Sequence, residues 1–410
     1  MSTTADRRTP AILAAARKTL QRPLASYQLV LGVTSILLGL GLIMVLSASS
    51  VFARTTTGDS FYIFKRQLIF AVLGVIGAFV GANIRIDLLR KLVYPFLFVT
   101  VGLILATFIP GVGIASHGNR NWLPLFGSFQ LQPSEFAKLA IVLWAADLFA
   151  RKEKLLHRPR HLLVPMIPVT GTLAMLVVGQ HDLGTALVLF AVIVGMLWVV
   201  GLPGKYMGGV ALTISAILLF FVASSPNRVI RMLSFTNPMA NADSAGFQSV
   251  HGLMALATGG FWGVGLGGGR QKWGTLPEAH TDFILAVIGE ELGLIGTFVV
   301  IILFGLLAYS GVRIATRTKD PFVRYSAAGI TIWLITQAVI NIGMVLGLLP
   351  VIGIPLPLIS YGGSSLLVTL VALGLLVNFA KTEPGAKRAL AASRKRRGSL
   401  RSRLPKLQGR

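Results

Sequence analysis

Long apolar segments constrain this chain more than any other feature. Ten runs along its 410 residues are long enough to cross a lipid bilayer as helices, which takes about 20 residues each. They begin near Ser26, Arg66, Lys91, Ser134, His161, Gly184, Tyr206, Phe283, Phe322 and Pro357. Because backbone polar groups in hydrocarbon must pair within the chain, such runs form helices. The sequence therefore predicts an all-α, polytopic integral membrane protein with ten transmembrane helices.

Composition excludes an ordinary soluble domain. Hydrophobic residues make up 54% of the chain and charged residues 13%, whereas about a quarter of the residues in a soluble domain are charged. No repeat of about 20–50 residues is apparent, which disfavours a transporter built from inverted repeats. We expect one membrane domain, 26–381, between a basic N-terminal tail, 1–25, and a basic C-terminal tail, 382–410.

The placement of basic residues predicts the orientation of the chain. The net charge is +24, and most Lys and Arg residues lie in the termini and in alternate loops, as the positive-inside rule requires of cytoplasmic segments. Both termini are therefore expected in the cytoplasm. Two larger loops, 111–133 and 225–282, are expected outside, the second between helices 7 and 8. The basic tail is interpreted as attracted to anionic lipid rather than to nucleic acid.

The segment 276–283 places ionisable groups directly before a long apolar run. Glu278, His280 and Asp282 all lie in it. Ionisable residues at membrane depth are costly, at about 2.5–3.5 kcal/mol on insertion scales, and usually functional. The alternative is a helix cap, in which Thr281 or Asp282 accepts backbone hydrogen bonds. This segment alone leaves both interpretations open.

Acidic residues near the outer helix ends are candidates for contact with an external polar substrate. On the predicted topology they are Glu135, Asp182, Glu278 and Asp282. Glu290 falls about two turns deeper in its helix, where we expect it to support the bundle. Glu135 and Lys138 share a helix face and predict a buried ion pair. The alternative is a helix capped by Ser134 with an acidic first turn.

Glycines and prolines predict irregular backbone at two places. The run 265–269 contains four glycines, but no strand precedes it, so a re-entrant loop is favoured over a phosphate-binding loop. Pro350, Pro355 and Pro357 interrupt a second apolar region. Broken helices at membrane depth are tolerated where the backbone is buried or lines a cavity. A groove for a lipid-linked substrate would meet this condition.

Several motifs in a fixed order carry a family resemblance. They are the glycine-rich run 259–267, the triplet His280-Thr281-Asp282, and the segments 288–293 and 356–365. Over roughly 27–381 the chain resembles the SEDS family, the polytopic peptidoglycan glycosyltransferases called FtsW, RodA and SpoVE. The residues Leu-Pro-Glu-Ala-His at 276–280 and the long basic tail resemble FtsW members. The resemblance implies polymerisation of lipid II into β-1,4 glycan strands at the division septum. A lipid II flippase and a RodA-type elongation polymerase are the alternatives.

The resemblance also implies a mechanism. The family's essential aspartate maps to Asp282, where it would act as general base on the 4-hydroxyl of the acceptor sugar. The leaving lipid diphosphate is a stable anion, so it needs cationic stabilisation rather than a general acid. Arg, Lys or a divalent cation, Mg or Mn, would supply that charge, and no other cofactor or metal site is evident. A single displacement inverts the anomeric centre.

The resemblance, together with the sparse outer cations, implies a set of substrate-binding residues. They are Arg66, Arg120, Trp122, Glu135, Lys138, Asp182, Arg231, Gln248, Lys272, Glu278, His280, Ser360, Gly363 and Ser364. Two positions depart from the family's pattern. Asn121 stands where many relatives have Arg, which leaves the role of Arg120 open. His181 replaces the Pro that usually precedes the Asp-Leu-Gly triplet, so the backbone at Asp182 is expected to differ.

Partners follow from the same resemblance. Lipid II and the nascent glycan strand are the expected substrates, at the outer face of the bacterial plasma membrane. A class B penicillin-binding transpeptidase with a single span, together with other division proteins, is the expected protein partner. No nucleic acid is expected.

The predicted topology can be tested with single cysteines, because the chain has none of its own. A cysteine at Asn241 is expected to react with a membrane-impermeant maleimide in intact cells, and one at Ser393 is expected to react only after lysis. Labelling of position 393 in intact cells, with 241 spared, would show that the orientation is reversed.

Overall fold

Helices dominate the computed structural model, which describes residues 22–116, 119–125, 127, 129–156, 158–244 and 246–392. The helices there are α1 (Ala25–Thr57), α2 (Tyr62–Asn83), α3 (Ile86–Ala106), α4 (Pro133–Arg151), α5 (Pro159–Gly179), α6 (Leu183–Val200), α7 (Gly204–Ala223), α8 (Pro226–Thr236), α9 (Phe247–Gly259), α10 (Ile284–Arg317), α11 (Pro321–Val345) and α12 (Gly363–Ala380). Three short strands, β1 (Ile114–Ser116), β2 (Asn119–Pro124) and β3 (Gln130–Leu131), form an antiparallel sheet in the order β1-β2-β3. The predicted all-α, polytopic fold is confirmed.

Nine helices of the described ranges are long and apolar enough to span a membrane. The remaining predicted span is α4, which carries Glu135, Lys138, Asp147 and Arg151. Nearly all of its 19 residues are buried, and it packs mainly against α3 and α11. A helix that is enclosed by other helices can hold paired charges that lipid would not accept. The count of ten spans remains a prediction, as do the sidedness of the loops and the boundaries of the tails, most of which lie outside the described residues.

The segment predicted as a large outer loop contains two short helices and irregular turns. It includes α8, a 3₁₀ turn at Pro238–Asn241, α9 and an irregular stretch from 260 to 283. The preceding helix, α7, has no buried residue, whereas most residues of α11 and α12 are buried. The core of the fold therefore lies around α4, α11 and α12.

Helices α2 and α12 approach each other closely at glycines. A methyl group added at Gly374 would overlap the carbonyl oxygen of Ala78, and one at Gly81 would lie 3.2 Å from the carbonyl oxygen of Val371. Small residues allow such close packing between membrane helices. This packing holds the second half of α12 against α2, and just before α12 begins the Gln67 amide of α2 donates to the carbonyl of Ser360 (3.1 Å).

The backbone between α11 and α12, residues 346–362, is not helical, as its prolines predict. This stretch is called the broken segment. Much of this stretch is buried, so its carbonyl groups need partners other than water. Two amides on one face of α11 provide them. The Gln337 side chain donates to the carbonyl of Pro355 (3.0 Å). The Asn341 side chain donates to the carbonyls of Ile354 (2.7 Å) and Asp282 (2.8 Å). One amide therefore connects the broken segment to Asp282, two residues before the start of α10.

Replacing Asn341 with Ala is expected to destabilise the protein by about 1–3 kcal/mol, because two buried carbonyls lose their donor. The matched control is Ser326→Ala on the same helix. Ser326 is fully buried, and its hydroxyl has no hydrogen-bond partner within the described residues, so the control is expected to unfold close to wild type. Thermal unfolding in detergent measures both. Equal losses in the two variants would contradict the role given to Asn341.

Candidate functional site

Asp282 lies at the junction between the irregular 260–283 stretch and α10. It is half-buried, and its carboxylate faces the broken segment: a methyl group added at Gly353 would lie 3.3 Å from Oδ2. Gly353 has φ +78°, a left-handed conformation that disfavours any side chain. The backbone of this segment therefore approaches the carboxylate closely, and the glycine places no side chain between them.

Neither side chain proposed as a helix cap performs that role. Phe283 occupies the N-cap position of α10, and no side chain there accepts a capping hydrogen bond. The Thr281 hydroxyl instead donates to the Glu278 carbonyl (3.1 Å) and carboxylate. No described residue donates a hydrogen bond to the Asp282 carboxylate. The capping alternative for Asp282 is therefore wrong in this structure.

The surroundings of Asp282 disfavour its charged form. Burial is the main cause, and the carboxylates of Glu278 and Asp182 add to it; together they raise the pKa of Asp282 to about 7. A raised pKa means that the group changes charge near neutrality rather than at acidic pH. A carboxylate with this pKa is suited to accept a proton at physiological pH.

Glu278 forms the turn that leads into Asp282. Its φ is +55°, an uncommon conformation for a residue other than glycine. Its carbonyl accepts from the backbone N–H groups of Thr281 (3.2 Å) and Phe283 (3.1 Å), while its side chain is exposed. The predicted contact of Glu278 with substrate remains a prediction.

His280 lies between aromatic rings from two other parts of the chain. Its ring stacks on Phe52 of α1 with centroids 5.4 Å apart, and it lies 5.6 Å from the Tyr361 ring. The backbone N–H of Tyr361 donates to the His280 carbonyl (2.9 Å). Burial lowers the pKa of His280, against the opposing effect of Glu278. The imidazole is therefore neutral at pH 7 and joins α1 to the start of α12.

Arg66 is the cation nearest to this aromatic group. It is half-buried on α2, and its guanidinium lies over the rings of Phe129 (5.5 Å) and Tyr62 (5.8 Å). Burial raises the pKa of Tyr361, while the charge of Arg66 lowers it, so the two side chains are close. Among the predicted phosphate-binding cations, Arg66 is the one that the structure brings near the Asp282 region.

Asp182 serves as a structural tie. Its side chain caps α6 by accepting from the backbone N–H of Thr185 (3.0 Å). It also accepts from the Gln132 amide (2.8 Å) and from the Asn121 amide (3.1 Å). The unusual Asn121 thereby joins β2 to α6. Substrate contact by Asp182 stays a prediction, since these donors already occupy its oxygens.

His181 has a backbone conformation that a proline could not adopt, and the predicted change at Asp182 remains a prediction. The φ of His181 is +65°, and a proline ring holds φ near −65°. The imidazole stacks on Phe221, with centroids 6.0 Å apart. The guanidinium of Arg228 lies over the same Phe221 ring at 4.0 Å. This position therefore connects α6 to α7 and α8.

The predicted Glu135–Lys138 ion pair is confirmed. The ammonium lies 2.7 Å from the carboxylate, and both side chains are buried. The ammonium also donates to the Gln337 side chain (3.1 Å) and lies 5.4 Å from the centre of the Trp333 ring. The alternative of a Ser134 cap is wrong, because the N-cap of α4 is Gln132 and makes no side-chain cap. The pair thus supports the face of α11 that fixes the broken segment.

Ser360, Gly363 and Ser364 close the broken segment. The Ser360 hydroxyl accepts from the backbone N–H of Leu356 (2.8 Å), and the Ser364 hydroxyl accepts from that of Gln132 (3.0 Å). A side chain at Gly363 would overlap the ring of Phe70. These contacts are structural, and direct contact of the three residues with substrate remains a prediction.

Lys272 does not line an open surface, contrary to expectation. Its side chain is 4% exposed and forms an ion pair with Glu291 (2.8 Å), and its ammonium also donates to the hydroxyl of Ser47 on α1 (3.0 Å). The neighbouring Glu290 accepts from the backbone N–H of Arg270 (2.7 Å). Both carboxylates are buried under the glycine-rich run, so Glu290 supports the bundle as predicted.

Four predicted residues lie away from Asp282 or on outer faces. Along β2, burial alternates, so Arg120 and Trp122 share the more exposed face while Asn121 is buried. Arg231 is exposed on α8, and Gln248 is half-buried on α9. Within the described residues, these side chains make no hydrogen bond, ion pair or ring contact with the residues around Asp282.

A metal held by the protein alone does not fit this site. Within the described ranges, no three or more Asp, Glu, His or Cys side chains come together as metal ligands. The acidic groups around Asp282 influence one another electrostatically, but they do not form a ligand cluster. The expected divalent cation therefore finds no ligand set of its own here.

This chain is similar in sequence and in fold to known proteins. The FtsW/RodA/SpoVE family, described as "Cell cycle protein", matches residues 27–384. The "Probable peptidoglycan glycosyltransferase FtsW" of Mycobacterium tuberculosis is 40% identical over 388 residues, which cover 94% of this chain and 74% of that protein. A solved structure described as "Structural coordination of polymerization and crosslinking by a peptidoglycan synthase complex" matches with a TM-score of 0.68 and 27% identity, over 86% of this chain and 96% of that one. The RodA protein of Thermus thermophilus matches with a TM-score of 0.63 and 26% identity, over 87% of this chain and 97% of that one. The chain therefore belongs to the FtsW/RodA/SpoVE family of multi-pass membrane proteins.

Proposed function

We propose that this chain polymerises lipid II into β-1,4 glycan strands and does so at the division septum. The observation that carries the proposal is the half-buried Asp282 carboxylate, whose pKa is raised to about 7 beside the broken segment. Relatives named peptidoglycan glycosyltransferase FtsW support the reaction class. The proposed site is reached from the outer face of the plasma membrane, with both termini in the cytoplasm.

Asp282 acts as the general base in this proposal. Its carboxylate takes the proton from the 4-hydroxyl of the acceptor GlcNAc as that oxygen forms a bond to the anomeric carbon of the donor MurNAc. The bond between that carbon and the lipid diphosphate breaks, and the diphosphate leaves with the electron pair. Attack from the face opposite the leaving group converts the α-linked donor into a β-linked product.

Arg66 is the proposed partner of the departing diphosphate. Its guanidinium is fixed by the rings of Tyr62 and Phe129, and a planar guanidinium suits phosphate oxygens. Lys272 is unsuitable for this role, because Glu291 and Ser47 already occupy its ammonium. No step is assigned to a metal ion.

A transpeptidase partner is part of the proposal. The related synthase complex is described as coordinating polymerization and crosslinking, and the glycan that Asp282 would help to form is the substrate of a crosslinking enzyme. A class B penicillin-binding transpeptidase and further division proteins are the proposed partners. Lipid II flipping would use the same groove without a base. The polymerisation activity of Asp282 variants therefore distinguishes the two functions.

Asp282→Asn is expected to abolish polymerisation of labelled lipid II by the chain in complex with its transpeptidase partner. Asn keeps the shape of Asp but cannot accept the proton, and a positioned base contributes roughly 10²–10⁴-fold. The matched control is Asp59→Asn, an exposed residue paired with Lys65, which is expected to retain activity. Thermal unfolding is measured in parallel. Near-normal polymer from Asp282→Asn would overturn the mechanism and favour the flippase.

The wild-type rate is expected to rise with pH through about 7, because the pKa of Asp282 lies there and only the carboxylate form accepts the proton. Stability is expected to change in the opposite direction. A carboxyl whose pKa is higher in the folded state favours folding when protonated, so its contribution falls as pH rises from about 4 to about 7. Initial rates and thermal unfolding across this range measure both. Asp282→Asn is expected to lose this fall in stability between about pH 4 and 7. A pH dependence of stability in the variant equal to that of the wild type would contradict the assignment.

A further inference from the structure

A cavity of about 790 Å³ lies at the end of the bundle opposite Asp282. It is bounded by the turn between α2 and α3, the start of α11, the end of α12 and the segment that follows α12. The Asp282 region adjoins the other end of α12, about 27 Å away for a helix of 18 residues. The cavity is therefore separate from the proposed active site.

Three cationic residues line this cavity: Arg85, Lys381 and Lys387. The Lys381 ammonium is positioned by the carbonyl of Ala82 and lies 3.4 Å from the side-chain oxygen of Asn83. Arg85 and Lys387 are exposed, and neither forms an ion pair with an acidic residue of the described ranges. Two of the three charges therefore have no anionic partner from this part of the chain.

The two acidic residues in the wall are engaged at helix starts. The Asp320 carboxylate caps α11 by accepting from the backbone N–H groups of Phe322 (2.8 Å) and Val323 (3.3 Å). Asp87 lies in the first turn of α3, where a negative charge compensates the positive end of the helix dipole. Both carboxylates are thus held at helix starts, and three cations against two carboxylates leave the cavity with an excess of one positive charge.

Apolar side chains complete the cavity and continue onto the surface beside it. Ile84, Ile86 and Leu390 contribute to the wall. On the adjoining outer surfaces, Phe79 near the end of α2 is 72% exposed and Leu88 at the start of α3 is 48% exposed. Exposed apolar side chains on helices long enough to span a bilayer suit contact with acyl chains. The site therefore combines positive charge at a helix end with apolar surface that runs away from it.

We propose that this cavity binds the headgroup of an anionic phospholipid. Its phosphate is contacted by Arg85, Lys381 and Lys387, and its acyl chains lie along the exposed faces of α2 and α3. Basic pockets at the ends of membrane helices recognise such headgroups. The chain's own tail is a poor occupant, because Arg394, Lys395, Arg396 and Arg397 repeat the charge of the cavity. The lipid would hold the segment after α12 against the helix ends.

The test uses the purified full chain in nanodiscs of phosphatidylcholine, alone or mixed with phosphatidylglycerol. Native mass spectrometry measures which lipid stays bound, and thermal unfolding measures the stabilisation. Wild type is expected to retain phosphatidylglycerol preferentially. Each cation near an anionic headgroup contributes about 1 kcal/mol, or about fivefold, so Arg85→Gln with Lys387→Gln is expected to lower the preference about 25-fold.

Two controls keep the test specific. Lys154→Gln with Arg160→Gln removes two exposed cations that do not line the cavity, and this variant is expected to keep the preference. Arg85→Lys with Lys387→Arg preserves the charge and is expected to keep it as well, which separates charge from folding defects. Equal losses in both Gln variants would reduce the effect to general surface attraction and overturn the proposal. Stabilisation by glycerol phosphate equal to that by phosphatidylglycerol would indicate a soluble phosphate ligand and also overturn it.

Discussion

Hydrogen bonds to backbone carbonyls within the membrane domain are the interaction on which the rest of this structure depends. The chain between α11 and α12 is not helical, although much of it is buried. Each carbonyl there that lacked a hydrogen bond would cost several kcal/mol. Gln67, Gln337 and Asn341 donate to these carbonyls from α2 and α11. Neutral amides suit this task because they donate without bringing an uncompensated charge into the bundle. Asn341 also donates to the carbonyl of Asp282, so the same amides fix the backbone that lies beside the Asp282 carboxylate.

Carboxylates in this protein differ in function because they differ in partners. Asp182 accepts hydrogen bonds from three elements, and Glu290 and Glu291 accept them from the glycine-rich run. Donors already occupy the oxygens of these carboxylates, so the carboxylates hold neighbouring segments of the chain together. Asp282 has no such donors among the described residues, and its pKa rises to about 7. The chemical identity of the side chain is the same throughout, and the local supply of N–H and O–H groups decides its function.

Sequence reasoning predicted the features that depend on local pattern. Apolar run length predicted the helices, the three-residue spacing of Glu135 and Lys138 predicted their ion pair, and Pro350 to Pro357 predicted broken backbone. It failed where partners come from distant parts of the chain. The sequence predicts that Lys272 is available to bind phosphate. Its partner Ser47 lies 225 residues away in sequence, so no local pattern indicates that the two side chains are in contact. The role of Asn341 has only a weak local signal, an amide four residues after Gln337 in an apolar helix, because its carbonyl partners lie in two other segments of the chain.

His181 carries a consequence for engineering. Consensus design replaces rare residues with the family's common one and gains stability when the backbone is compatible. The family resemblance implies Pro at this position, and the local φ of +65° excludes it. The substitution His181→Pro would have to move the turn before α6. It would also remove the stacking on Phe221, the ring that Arg228 covers from α8. A proline at this position would therefore cost stability through both the backbone and the ring contacts that His181 makes in this chain.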